Sequence, residues 1–255
     1  MRRYRKLLAL AVLWGASHVG AHGQDFQFPL NVTGVQMVDI PGMVVPDVLR
    51  GGSLPDGRSP DSKQKMAALN GKPVTGNGAT RQPVRLAYEP TAALRRQTVA
   101  GYVNRLKTNN PGAAQALAAE LGKYDYSQIY RSNTKDSGLR ENDAADNMAA
   151  LLLLGWMIVN DQHDGNAITV PMAKGVRAQV APGLATSGAA NTPAKAARVG
   201  EELKLLLVVL QAGWLSAPKE GQQVAFRQGV AAMFKTQYGF DLSKLRLTDQ
   251  GFARK

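Results

Sequence analysis

The chain has 255 residues, with 31 lysines and arginines against 19 aspartates and glutamates, which gives a net charge of +12. The lack of cysteine excludes a disulfide framework, thiolate catalysis and thiolate metal sites. Histidine occurs only three times, and most zinc sites need about three or four histidine, cysteine or carboxylate ligands, so we expect no metal and no cofactor.

Residues 1–23 have the features of a cleavable secretory signal peptide. An apolar stretch, Leu7 to Val19, is followed by Val19-Gly20-Ala21, whose small residues suit a signal peptidase. Four cationic residues precede it: Arg2, Arg3, Arg5 and Lys6. The alternative is a retained membrane anchor, but the stretch is shorter than the roughly 20 residues that a span requires. We therefore expect a bacterial protein that is periplasmic or secreted and has no membrane span after cleavage.

The charge of the mature chain bears on its partners. Removing residues 1–21 takes away four positive charges and lowers the net charge from +12 to +8. Lysine and arginine are scattered among the acidic residues rather than massed in runs, which favours a role in solubility. A partner would then be an unidentified protein or an anionic envelope polymer, and we expect no specific nucleic acid.

Residues 24–88 form a predicted leader that is mostly disordered. The segment is rich in Gly, Pro, Ser, Asn and Asp, with breaker clusters at residues 51–57 and 75–78. Such a composition cannot bury enough apolar surface to order itself. Apolar clusters at residues 35–40 and 43–45 could form short strands or dock on the body.

Residues 89–255 are predicted to be mainly α, a compact bundle of about six helices around two buried central helices. Residues 91–106 are amphipathic, and Asn110-Pro111 is a typical start for the next helix. After the short turn or helix at residues 124–130, Asp143 caps a helix to about Val159. That helix is apolar on nearly every side, as central helices are.

The remaining elements follow from their start and stop residues. A helix from Pro171 is expected to end at Pro182-Gly183, and Thr192-Pro193 begins a long one with a second dense apolar stretch. Ser216 and Pro218 are expected to start the last helix, which Gly239 stops. The tail, residues 240–252, is predicted to form a short strand or a 3₁₀ turn.

Four carboxylates are the catalytic candidates: Glu141, Asp143, Asp146 and Asp161. A glycosidase needs only two carboxylates, roughly 5–10 Å apart, and neither histidine nor metal. For Asp143 and Asp146, however, capping of a helix N-terminus is the favoured interpretation. In the loop at residues 160–166, calcium spacing fails, because Pro171 stands where the closing glutamate belongs. That loop instead indicates a helix end with Gly165 in the left-handed cap position.

Three tyrosines and one histidine are the binding candidates. Tyr124, Tyr126 and Tyr130 lie in polar sequence and could form a binding rim. His163 is the histidine certain to remain after signal cleavage, and it lies in the polar loop. Tryptophans Trp156 and Trp214 are predicted to be core residues whose indole N–H groups reach carbonyls.

Several motifs together carry a family resemblance. They are Tyr88-Glu89-Pro90, Asn110-Pro111, Asp143-Ala144-Ala145-Asp146 leading into Leu154-Gly155-Trp156, and Asp249-Gln250-Gly251-Phe252. In these motifs the chain resembles an exported bacterial family known as domain of unknown function 6683, over about residues 85–252. The resemblance implies a helical exported domain and carries over no catalytic residue.

Three functions follow as hypotheses. The first is a non-catalytic module for interaction or envelope association, which the scarcity of catalytic groups favours. The second is a metal-independent helical hydrolase of cell-envelope polymers, resembling a glycosidase. The third is a secreted effector whose leader is recognised by a transport machine.

Overall fold

The structure is a computed structural model that describes residues 85–255. The predicted signal peptide and the predicted leader up to residue 84 lie outside the described residues. None of the helices between residues 85 and 255 is both long and apolar enough to cross a membrane.

The described part is mainly helical, as predicted. Its seven α-helices are α1 (Ala92–Asn109), α2 (Pro111–Leu121), α3 (Tyr126–Thr134), α4 (Ala144–Val159), α5 (Val170–Thr186), α6 (Pro193–Ser216) and α7 (Gln223–Tyr238). Two 3₁₀ turns, Gly165–Ala167 and Leu242–Lys244, and the antiparallel strands β1 (Leu245–Thr248) and β2 (Gly251–Arg254) complete it.

Side-chain caps start most of these helices. The Asn110 carboxamide oxygen accepts from the Ala113 N–H at 3.0 Å before Pro111, and the Thr192 hydroxyl accepts from Lys195 N at 3.3 Å. These contacts satisfy N–H groups that have no partner within the helix. The predicted starts at Asn110 and Thr192 are therefore confirmed.

Two predicted helix boundaries are wrong. Helix α5 continues through Pro182 to Thr186, because Val180 and Leu184 on either side of the proline are buried in the core and their packing outweighs one lost hydrogen bond. Helix α7 begins at Gln223 rather than near Ser216, since a turn with Gly221 at a φ of 69° follows α6. Gly239 ends α7 in the left-handed conformation, as predicted.

Helices α4 and α6 form the centre of the bundle and pack along each other more extensively than any other pair of elements. Helix α4 also contacts α5 and α7, while α6 contacts α1 and α3. Most residues of both helices are buried. The prediction of two central helices is thus confirmed, and the apolar residues around their circumference explain it.

The segment before α1 is fastened to the start of α4. Tyr88 donates its N–H to the Asn142 carbonyl at 2.9 Å, and the Ala144 N–H donates to the Leu86 carbonyl at 2.9 Å. This short antiparallel contact directs the Tyr88 side chain into the interior, where it is buried.

Candidate functional site

A charged pair lies in the centre of the bundle, one turn apart on α6. Glu201 and Lys204 are both fully buried, and the Lys204 Nζ lies 2.5 Å from a Glu201 carboxylate oxygen. Taking two charges out of water is costly, so such a pair persists only when further hydrogen bonds satisfy both groups.

Neighbouring side chains supply those hydrogen bonds. The hydroxyl of Tyr88 donates to Glu201 Oε1 at 3.0 Å, and that of Tyr126 donates to Oε2 at 2.6 Å. Lys204 donates to the Asn142 carboxamide oxygen at 3.1 Å. Both carboxylate oxygens and the ammonium group are therefore engaged by the protein itself.

Asn147 on α4 connects the pair to a third tyrosine. Its amide donates to the Tyr88 hydroxyl at 3.0 Å and to the Gly200 carbonyl at 3.2 Å, and its oxygen accepts from the Tyr130 hydroxyl at 2.8 Å. Gly200 leaves room for Tyr88, because a Cβ at that position would lie 2.6 Å from the Tyr88 Cζ. We call Glu201, Lys204, Asn147, Tyr88, Tyr126 and Tyr130 the buried network.

The three phenols of the buried network stay neutral. Burial, followed by the Glu201 carboxylate, raises the pKa of Tyr88 and of Tyr126 far above its usual value. Burial also raises the pKa of Tyr130, and the charges of Asp146 and Glu141 add to the effect. Neutral phenols donate hydrogen bonds, so these hydroxyls hold the Glu201 carboxylate and the Asn147 oxygen.

The three tyrosines that were predicted to form a binding rim differ in their location and exposure. Tyr126 and Tyr130 point into the buried network, with exposed fractions of 3% and 0%, and Tyr124 is partly buried. These three tyrosines do not form one exposed surface.

Asp143 and Asp146 bind two arginines at the start of α4. The first carboxylate oxygen of Asp143 accepts from the Ala145 and Asp146 N–H groups at 3.0 and 3.2 Å, which confirms the cap. Its second oxygen lies 2.6 Å from Arg140, and Asp146 lies 2.6 Å from the same guanidinium. Arg177 of α5 pairs with both carboxylates. The negative charges of the two carboxylates are thus balanced by the positive charges of two guanidinium groups.

Glu141 lies between Arg131 and Lys204 of the buried network. It accepts from Arg131 at 2.8 Å and from the Ser127 hydroxyl at 2.9 Å, and Lys204 is 3.9 Å away. Burial alone would raise the pKa of Glu141, but these hydrogen bonds and positive charges outweigh it and lower the pKa. A general acid at neutral pH needs a raised pKa instead.

The polar loop after α4 brings Asp161 and His163 together. The imidazole lies 3.0 Å from the carboxylate and stacks on the Trp214 ring at 5.2 Å between centroids, and Arg227 pairs with Asp161 at 2.8 Å. The predicted left-handed position at Gly165 is wrong. Asp161 has a φ of 57° instead, because α4 ends at Val159 and the turn follows directly; aspartate tolerates this conformation better than most residues.

The four predicted carboxylates do not form one site. Asp143 and Asp161 lie at opposite ends of α4, a helix of 16 residues and so about 24 Å long. Asp161 is therefore outside the distance at which two carboxylates cooperate in glycoside hydrolysis.

A partly open pocket lies between α3, α4 and α6. Its lining is mainly apolar, with two amides and two hydroxyls: Leu139, Ala150, Leu153, Leu154, Met157, Ile168, Leu207, Asn133, Gln211, Thr134 and Ser137. An apolar lining with a few polar groups is typical of ligand sites.

Sequence reasoning missed the Glu201–Lys204 pair and the pocket. A glutamate and a lysine three residues apart inside a dense apolar stretch were the available signal for the pair, because buried charges require partners. The predicted hydrogen bond of the Trp156 indole is confirmed, because this partly buried residue donates its N–H to the Leu245 carbonyl at 2.8 Å.

Comparison with known proteins gave no match to a family model, a curated protein or a solved structure. The resemblance to domain of unknown function 6683 therefore stays a prediction.

Proposed function

We propose that the chain is an exported, non-catalytic interaction module of the bacterial envelope. The observation that carries the proposal is the pairing of three candidate carboxylates with arginines. Asp143 and Asp146 are held by two arginines and a helix N-terminus, and Glu141 is held by Arg131. Carboxylates bound in this way stabilise the fold and are poorly placed to exchange protons with a substrate.

The net charge supports an anionic or protein partner. Residues 85–255 contain 21 lysines and arginines against 14 aspartates and glutamates, which gives +7. A cationic surface attracts anionic polymers over about one Debye length, roughly 8–10 Å at physiological salt. Export and membership of the exported family that the motifs resemble are parts of the same proposal.

Hydrolysis of an envelope polymer is the competing function. It would require an acid with a raised pKa opposite a second carboxylate. The lowered pKa of Glu141 argues against this residue as the acid, and the pairing of Asp146 with Arg140 and Arg177 argues against Asp146 as the second carboxylate.

Zymography on purified cell wall tests the proposal. The full chain is compared with Glu141→Gln and with Asp136→Asn, a matched change at an exposed residue. We expect no clearing from any of the three, together with co-purification of a partner from a periplasmic extract. Clearing by the wild type and by Asp136→Asn that is lost in Glu141→Gln would overturn the proposal.

A further inference from the structure

The pocket between α3, α4 and α6 combines an apolar lining with a small set of polar groups. Five of its apolar side chains come from the two central helices: Ala150, Leu153, Leu154, Met157 and Leu207. Such a lining favours an apolar group of the ligand, because burial removes its surface from water. The polar groups must then fix the orientation of the ligand and the specificity of its binding.

The two hydroxyls of the pocket are already used by the protein. Thr134 donates its hydroxyl to the Tyr130 carbonyl at 3.0 Å. Ser137 donates to the Thr134 carbonyl at 2.6 Å and accepts from the Leu139 N–H at 3.2 Å. Neither hydroxyl has a proton left to donate, so a free donor in the pocket must come from the two amides.

Asn133 and Gln211 leave one amide NH₂ group and one amide carbonyl group unbonded. The Asn133 amide nitrogen donates to the Gln211 carboxamide oxygen. This contact uses the oxygen of one amide and the nitrogen of the other, so one NH₂ group and one C=O group remain. Exchanging the oxygen and nitrogen assignments gives the same result, since each amide carries one of each. Asn133 itself is 91% buried, with an exposed fraction of 9%.

We propose that this pocket binds a peptide segment through one apolar side chain and the neutral peptide group next to it. A peptide group has one N–H and one C=O, which complement the free carbonyl and the free NH₂ of the amide pair. A fatty acid presents a carboxylate that only accepts hydrogen bonds, and the free amide carbonyl would oppose it. The inference rests on the proposed interaction role and names the chemistry of the partner.

Methyl NMR of the full chain tests this assignment. Methionine methyl groups carry the ¹³C label: Met157 lines the pocket, while Met148 and Met233 are buried elsewhere in the core and serve as references. The probes are N-acetyl-leucinamide, N-acetyl-leucine with its free carboxylate, and N-acetyl-glycinamide without an apolar side chain. We expect N-acetyl-leucinamide to shift the Met157 signal saturably. N-acetyl-leucine should bind at least about tenfold more weakly, and N-acetyl-glycinamide should leave the signal unchanged.

Two variants assign the effect to the amide pair. Gln211→Met keeps the length of the side chain and removes its hydrogen bonds, so the affinity for N-acetyl-leucinamide should fall roughly three- to tenfold. Asn133→Leu should have the same effect. Gln228→Met, an exposed change on α7, should leave the affinity unchanged and is the matched control.

Three results would overturn the assignment. They are equal binding of the free carboxylate, unchanged affinity in both amide variants, and movement of the Met157 signal with protein concentration alone, which would place a second copy in the pocket. Polymer cleavage in the zymogram would refute the proposed function separately, because this titration measures ligand binding and not hydrolysis.

Discussion

The hydroxyl of Tyr88 donates a hydrogen bond of 3.0 Å to the carboxylate of Glu201, although 113 residues separate the two along the chain. Tyr88 comes from the segment before α1, and Glu201 lies within α6. The bond therefore fastens the start of the described region to a central helix. It also helps to satisfy a charge that burial would otherwise make costly.

Gly200→Ala should destabilise the protein. Alanine is the better helix former by about 0.5–1 kcal/mol, but the new Cβ would overlap the Tyr88 ring. We expect a net loss of about 1–3 kcal/mol in the free energy of unfolding, measured by urea denaturation. Gly188→Ala is the matched control, because nothing lies within 4 Å of its Cβ. Equal stability of the two variants would refute the close packing of Tyr88 on α6.

Lys204→Met should cost about 3–5 kcal/mol of unfolding free energy, because it leaves the Glu201 charge buried without its partner. The double variant Glu201→Gln/Lys204→Met should recover a large part of that loss, since no buried charge remains. The exposed change Lys235→Met should have little effect. A double-mutant cycle with no coupling between positions 201 and 204 would contradict the pairing.

Replacing Asp143 in two ways should separate its two roles. Asp143→Asn keeps a capping oxygen and loses the ion pairs with Arg140 and Arg177. Asp143→Ala loses the cap as well and should be less stable than the asparagine variant by about 0.5–2 kcal/mol. Thermal denaturation measures both, with Asp136→Asn as the exposed control. Alanine and asparagine variants of equal stability would show that the cap contributes nothing.

Stability should fall in strongly alkaline solution. Burial is the largest cause of the raised pKa of Tyr88, Tyr102, Tyr126 and Tyr130. Above about pH 10 these tyrosines lose protons in the unfolded chain but keep them in the folded one. The folded state then binds more protons, so each tyrosine lowers the unfolding free energy by up to about 1.4 kcal/mol per pH unit.

Urea denaturation between about pH 9 and 11.5 measures this slope. Tyr102→Phe removes one such group outside the buried network and should reduce the slope above pH 10 by one proton. Stability that does not change through this range would contradict the burial of the phenols.

The parts of the fold that local sequence controls were predictable. The Asp143 cap and the Asn110-Pro111 start depend on contacts within a few residues, and the apolar circumference of residues 144–159 marks a central helix without any knowledge of its neighbours. The continuation of α5 through Pro182 was not predictable, because it depends on how the residues beside Pro182 pack in the core.

The candidate site was largely beyond sequence reasoning because its contacts are distant along the chain. Tyr126 lies in polar sequence, and its partner Glu201 is 75 residues away. The pocket amides Asn133 and Gln211 are 78 residues apart and have no shared motif. Local patterns describe which helix a residue belongs to, whereas these relationships arise only when α3, α4 and α6 pack together.

A ¹³C NMR titration of the Glu141 carboxyl tests most directly that Glu141, like Asp143 and Asp146, is bound in ion pairs rather than prepared for proton transfer. The pairing with Arg131 and Ser127 predicts a midpoint below the ordinary glutamate value of about 4.3. A midpoint well above that value would contradict the account, because it would describe a carboxyl group prepared to act as a general acid.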